Sequence, residues 1–101
     1  MGVIRVLDHV RHCYSNADGL VIQAVIKQQF DLGNKVVLSF EGVDSVSSSF
    51  INSAFIELLD FYDFEFIKKN LGFINSIKTI NDTIKRRFSF EVNERNSFTY
   101  V

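Results

Sequence analysis

The stretch KVVLSFEGVDSVSSSFINSAFIELL, Lys35 to Leu59, changes its hydrophobic period midway, and that change decides the fold. Val36 to Phe40 is a nearly continuous apolar run, the pattern of a strand covered on both faces in a sheet flanked by helices. Glu41-Gly42 reads as a turn. Ser47, Ser48 and Ser49 then precede Phe50, Ile51, Ala54, Phe55, Leu58, Leu59 and Tyr62, a broad apolar stripe at helical spacing. Ser47 or Ser48 is the expected cap, and neither has Glu or Gln three residues on, so no capping box forms. A strand feeding a serine-rich helix start sets hydroxyls where backbone N–H groups and the helix dipole favour negative charge. That is an address for a phosphate or a partner.

Upstream, Val3, Ile4, Val6 and Leu7 predict a first strand. His9, His12 and Cys13 follow it. Imidazole and thiolate are zinc ligands, but this spacing matches no standard zinc pattern and no other His or Cys occurs, so an ordinary loop is expected. Ser15-Asn16-Ala17-Asp18-Gly19 reads as a turn into a helix, with Ser15 or Asn16 as cap and Asp18 in the first turn. Leu20, Val21, Ala24, Val25 and Gln28 to Phe30 form its stripe, Ile22 and Ile26 widen that face, and Gly33 suits a left-handed stop.

Downstream, Asp60 to Asp63 is the expected exit of the second helix. Phe61, Tyr62, Phe64 and Phe66 are expected chiefly in the core, the density of the cluster leaving room for an exposed ring. The chain then passes through Lys68-Lys69-Asn70 into a third strand carrying Leu71, Phe73 and Ile74. Asn75 or Ser76 is the expected cap of a third helix with Ile77, Ile80, Ile84 and Phe88 inside and Lys78, Asn81, Asp82, Lys85 and Arg86 outside. In the tail, Phe90/Val92 and Phe98/Tyr100 alternate around Asn93–Asn96, which predicts an added edge strand or a terminal hairpin, or else a mobile tail. Strand and helix alternate throughout, so the expected fold is α/β: a small, partly parallel sheet with helices packed against it. Residues 1–88 form the domain and residues 89–101 the tail.

Composition narrows the function classes. Eleven Phe with no Trp and no Pro predict an aromatic core. A net charge of −1 argues against bulk attraction to nucleic acid or membrane. A single cysteine excludes an internal disulfide and fits a reducing compartment. The first residues do not read as a signal peptide and no run reaches the length of a membrane span, so a cytoplasmic protein is expected. Charge is segregated: Glu41, Asp44, Glu57, Asp60, Asp63 and Glu65 precede Lys68, Lys69, Lys78, Lys85, Arg86 and Arg87. The two blocks are expected to neutralise each other in the fold, or else to form a two-sided surface that orients a partner.

The central motif, with Ser15-Asn16-Ala17-Asp18-Gly19 before it and Phe66 to Asn75 after it, resembles the signature of the bacterial STAS-like domain-of-unknown-function family. The resemblance covers roughly Ser15 to Phe88. That family is in turn similar to the STAS domains of anti-sigma-factor antagonists, where an Asp-Ser-Ser-Gly segment opens the helix after a central strand. A partner kinase phosphorylates the first serine there, and the charge releases the partner. On this chain the resemblance puts Ser48 at the phosphoacceptor position. Ser47 stands where the family has its acid, Phe50 where it has glycine, and Ser39 where an acid commonly ends the strand. The bulk of Phe50 is expected to narrow the approach to Ser48.

The resemblance therefore implies a non-enzymatic regulatory module that binds another protein, with an ATP-binding, kinase-like protein as partner. Ser47, Ser48, Ser49, Phe50 and Asp44 are its candidate residues. A phosphate on Ser48 would sit at a helix N-terminus that tolerates it, while Glu41 and Asp44 would add to repulsion of a partner. The alternative is nucleic-acid binding through Lys78, Lys85, Arg86 and Arg87, with Phe88 or Phe90 stacking on bases; the acidic half of the chain weighs against it. No metal, cofactor or catalytic constellation is read from the sequence. The edge strands allow a homodimer.

Overall fold

The computed structural model describes the backbone of residues 3–99 and the side chains of residues 3–95. In chain order the elements are β1 (Val3–Arg5), a 3₁₀ turn (Val6–Asp8), α1 (Asn16–Asp31), β2 (Val36–Ser39), α2 (Ser48–Ala54), a second 3₁₀ turn (Ile56–Asp60), α3 (Phe64–Asn70), β3 (Leu71–Ile74) and α4 (Lys78–Thr99). The sheet has the order β1-β2-β3 and both pairings are parallel. The α/β fold expected from the sequence is therefore present, with a described sheet that is parallel throughout.

The register sorts the strand residues onto two faces. Ile4, Leu38 and Phe73 share one row and Val36 and Leu71 another; these side chains meet the helices. Leu38, Phe40, Phe50, Phe55, Ile22, Ile26 and Ile84 are the centre of that core, all essentially inaccessible. Val3, Val37 and Gly72 form a row on the other face, and Arg5, Ser39 and Ile74 the next. Here Val3 is 57% exposed, Ile74 is 40% exposed, and nothing lies within 4 Å of where a Cβ on Gly72 would stand. β2 is thus not covered by helices on both faces. Strand order follows chain order, so right-handed crossovers put both connections on the same side.

The first strand stops at Arg5: Val6 and Leu7 belong to the 3₁₀ turn, with Val6 wholly buried. Ser15 caps α1, its Oγ accepting from the Asp18 N–H at 3.1 Å. The buried side of α1 is Gly19, Ile22, Gln23, Ile26 and Phe30, whereas Leu20 and Val21 are exposed. The residues expected to widen the stripe are its centre. Gly33, at φ 81°, stops the helix as expected. α1 packs along α2 so closely that a Cβ on Gly19 would stand 2.7 Å from the Phe50 carbonyl oxygen and from Ser53 Cβ.

The second helix is shorter than its apolar stripe suggests. At Phe55 the backbone leaves the α-helix (φ −123°, ψ −50°) and continues as 3₁₀. The segment read as a lead-in to β3 is helix α3, capped by Asp63, whose Oδ1 accepts from the Phe66 N–H at 2.8 Å. Its cues were Glu65 in the first turn and Lys68 and Lys69 in the last, placed to suit the dipole. This turn of chain leaves Phe61 56% exposed beneath the Lys27 ammonium, 3.5 Å from the ring centroid. Phe66 is also exposed, and Tyr62 and Phe64 are half-buried. The aromatic cluster is therefore only partly core.

α4 overturns the expectation for the tail. It runs through Phe88 without a break to Thr99, so the strand or hairpin expected in residues 89–99 is helix. Ile80, Ile84, Phe88 and Val92 repeat every four residues, which the alternation of Phe90 and Val92 obscured. Tyr100 lies outside the described residues. Ile77 is exposed, and Asn75, at φ 55°, does not cap the helix but donates from Nδ2 to Ser39 Oγ at 3.0 Å. Among the described residues no ion pair joins the acidic block before Ile67 to the basic block between Ile67 and Phe88. The two blocks do not pair with each other; the ion pairs of the acidic block go instead to Arg5 and to Arg95.

Candidate functional site

β1 and β2 both end at the same side of the sheet, and the loops leaving them lead into α1 and α2. The ends of parallel strands are where such folds place their sites. Here the two loops are stitched together at Ser47. Its N–H donates to the Cys13 carbonyl (2.9 Å), its Oγ donates to the Tyr14 carbonyl (2.7 Å), and the same Oγ accepts from the Phe50 N–H (3.0 Å). Of the two expected caps Ser47 is the one used, and its hydroxyl both donates and accepts. Ser53 extends the seam by donating to Asn16 Oδ1 at 3.1 Å.

That division of labour frees the next two serines. Ser48 and Ser49 are exposed, and their hydroxyls have no hydrogen-bond partner among the described residues. Phe50 is 0% exposed, its ring edge-on to Phe55 with centroids 6.1 Å apart. It therefore offers no surface to a partner and does not narrow the approach to Ser48. The helix turn directs the third residue after the cap inward, so the bulk that replaces glycine is absorbed by the core.

Asp44 is exposed and lines a hollow of about 180 Å³ with Arg11, His12 and Tyr14, residues that no local pattern brings together. Glu41 faces Arg5, with 3.6 Å between Oε1 and Nε, so part of its charge is already answered. Glu41 also lends its N–H to Ser39 Oγ at 3.3 Å, tying the turn to the end of β2. Asp44, unlike Glu41, makes no ion pair among the described residues.

His9 and His12 are exposed, whereas Cys13 is 1% exposed. The three do not converge, and no group of three or more His, Cys, Asp or Glu side chains among the described residues is placed to hold a metal ion. Burial pushes the Cys13 thiol up from 9.0 to about 11, and the charge of Asp18 adds to the shift. Below pH 9 the thiol is neutral in both folded and unfolded chains and costs nothing. Between pH 9 and 11 only the unfolded chain ionises freely, so stability falls through that window, by roughly 2 kcal/mol at its end. Thermal melts across this range should show the decline, and Cys13→Ala should remove most of it. Tyr62, raised by burial and by its hydrogen bond to Asp31, leaves a residual slope of the same sign.

The four candidate cations of α4 do not form one surface. Lys78, Lys85 and Arg86 are exposed, but Arg87 is half-buried, its guanidinium bonded to Asn52 Oδ1 and lying 5.9 Å from the Phe90 ring centroid. Phe88 is buried and closed to base stacking. No described helix is long and apolar enough to cross a membrane.

Comparison with known proteins gives one family assignment. The family model described as a STAS-like domain of unknown function matches residues 18–81, more than half of the chain. No curated protein and no solved structure matches it.

Proposed function

The chain belongs to the STAS-like family of unknown function, and from that footing we propose that it is a non-enzymatic regulatory module that binds a protein partner through the start of α2. The observation that supports this most is the pair of exposed, unpartnered hydroxyls on Ser48 and Ser49 beside a serine that already does the capping. A capping serine cannot be modified without loosening its helix; Ser48 can. Phosphate there gains from the helix N-terminus and leaves the fold intact, while it sets nearly two further negative charges four residues after Asp44. The cost falls on the partner. An ATP-binding, kinase-like protein acting on Ser48 from the same surface is the partner this reading favours, in the cytoplasm and away from membranes. The exposed histidines, bonded to no serine and no carboxylate among the described residues, favour the non-enzymatic reading.

The test is co-purification of tagged wild type, Ser48→Asp and Ser48→Ala from the native host. Ser48→Asp is expected to retain at most a tenth of a partner that Ser48→Ala keeps, with unchanged melting temperature. Ser47→Ala should instead lower stability by about 1 kcal/mol, because it removes the cap. Equal recovery of the same partner by all three Ser48 forms would end the switch reading.

A further inference from the structure

β3 is an edge strand. In a parallel ladder alternate residues bond to the neighbouring strand, and the rest point away from it. The Phe40 N–H donates to the Ile74 carbonyl at 3.0 Å, so Ile74 and Gly72 face β2, and Leu71 and Phe73 face outward. The Leu71 N–H is taken by the Ile67 carbonyl. The Phe73 N–H, the Phe73 carbonyl and the Leu71 carbonyl have no partner among the described residues. Exposed edges are ordinarily blunted by charge, proline or a bulge. Leu71-Gly72-Phe73-Ile74 has none of these.

A groove of about 440 Å³ runs beside this edge, between α3, β3 and α4. Ile67, Ile84 and Phe88 are buried at its floor and Leu71 and Phe73 form its strand side. Lys68 and Lys85 border it, both exposed, and no acidic side chain lines it. The outward backbone groups and the groove belong together, because the side chains of Leu71 and Phe73 lie on the helix-covered face of the sheet. A strand added outside β3 would put every second side chain into the groove.

We propose that this edge binds an extended segment of a partner protein, adding it as a fourth strand, with apolar residues at alternate positions and at least one acidic residue between Lys68 and Lys85. Backbone pairing supplies affinity and the groove supplies selection, the usual division in strand addition. A second copy of this chain fits less well, since a two-fold contact brings the same cations to both sides. An amphiphilic small molecule would fill the groove but leave the Phe73 N–H unpaired. The surface is separate from Ser48, and this inference stands independently of the phosphoserine reading.

The test selects a phage-displayed random nonapeptide library on the full chain and follows the enriched peptide in ¹⁵N-labelled protein. Enriched sequences should carry apolar residues at every second position with Asp or Glu, and the Phe73 amide should shift and gain exchange protection. Lys68→Glu with Lys85→Glu, both exposed, should weaken binding at least tenfold without changing the melt. N-methylation of the peptide at residues facing β3 should abolish binding, and at the intervening residues should not. The proposal is overturned if nothing is enriched, if the motifs have helical spacing or are basic, or if N-methylation acts equally at both sets. Light scattering that shows a dimer closing the same amides assigns the edge to a second copy and also overturns it. Shifts at Ser48 and Ser49 instead would place binding on the other surface, overturning this inference while supporting that reading.

Discussion

Gly19→Ala is expected to lower stability by about 2–3 kcal/mol, and Gly19→Leu to prevent folding. On an exposed helix the first change gains up to about 1 kcal/mol, because alanine is the better helix former. Here the added methyl would stand 2.7 Å from the Phe50 carbonyl oxygen and from Ser53 Cβ, and 3.0 Å from the Ala54 nitrogen. Two of these three atoms are backbone, so α1 and α2 must move apart. Doing so strains the hydrogen bonds from Gln23 Nε2 to the Ser53 carbonyl (2.6 Å) and to Glu57 Oε1 (3.0 Å), both from a buried side chain. It also strains the Ser53–Asn16 bond, and with it the seam that presents Ser48. For a domain of this size the melting temperature should fall by about 4–8 °C per kcal/mol. Gly72→Ala is the control: nothing lies within 4 Å of its Cβ position, and the melt should hardly change.

Phe55→Ala should cost about 3–5 kcal/mol, measured as a shift in the urea midpoint at unchanged slope. Its ring is 0% exposed and joins three elements, with centroids 5.3 Å from Phe73 of β3, 6.1 Å from Phe50 of α2 and 6.4 Å from Phe40 after β2. These are edge-to-face contacts, favourable beyond the apolar area they bury. The chain departs from helical geometry at this residue, so the ring's position and the break in the helix arise together. Phe55→Leu keeps much of the volume and should cost less than half as much.

These two residues mark what the sequence does and does not disclose. The change of period between Phe40 and Phe50 is strong, and it places β2, the serine cap and the core phenylalanines correctly. Gly33 is equally legible, since only a left-handed residue stops a helix that way. Gly19 is not. A glycine inside a helical stripe looks like a defect until the neighbouring backbone is seen against it. The aromatic residues of α3 invite a core reading that hides it, although Asp63, Glu65 and Lys68-Lys69 spell out a capped and charge-matched helix. In the tail, Phe90 and Val92 sit two apart as on a strand while Phe88 and Val92 sit four apart as on a helix, and the helix is what forms. At the candidate site, a capping serine at Ser47 or Ser48 follows from residue type and position, and the structure makes it Ser47. The fixing of Ser47 by the loop before α1 depends on a contact across more than thirty residues, and no local pattern encodes it.

The sequential strand order has a consequence for how the chain is made. A sheet ordered β1-β2-β3 grows only by addition at a free edge, and no strand has to be inserted between two others. Val3 and Val37 are about as far apart in the chain as Val36 and Leu71, so the two closures carry nearly equal entropic costs. A nascent chain can therefore assemble vectorially, each strand docking soon after it leaves the ribosome. The exception is the final helix. Until Ile80, Ile84 and Phe88 arrive, Ile67, Leu71 and Phe73 stay open to other chains, and aggregation during synthesis should be governed by that interval.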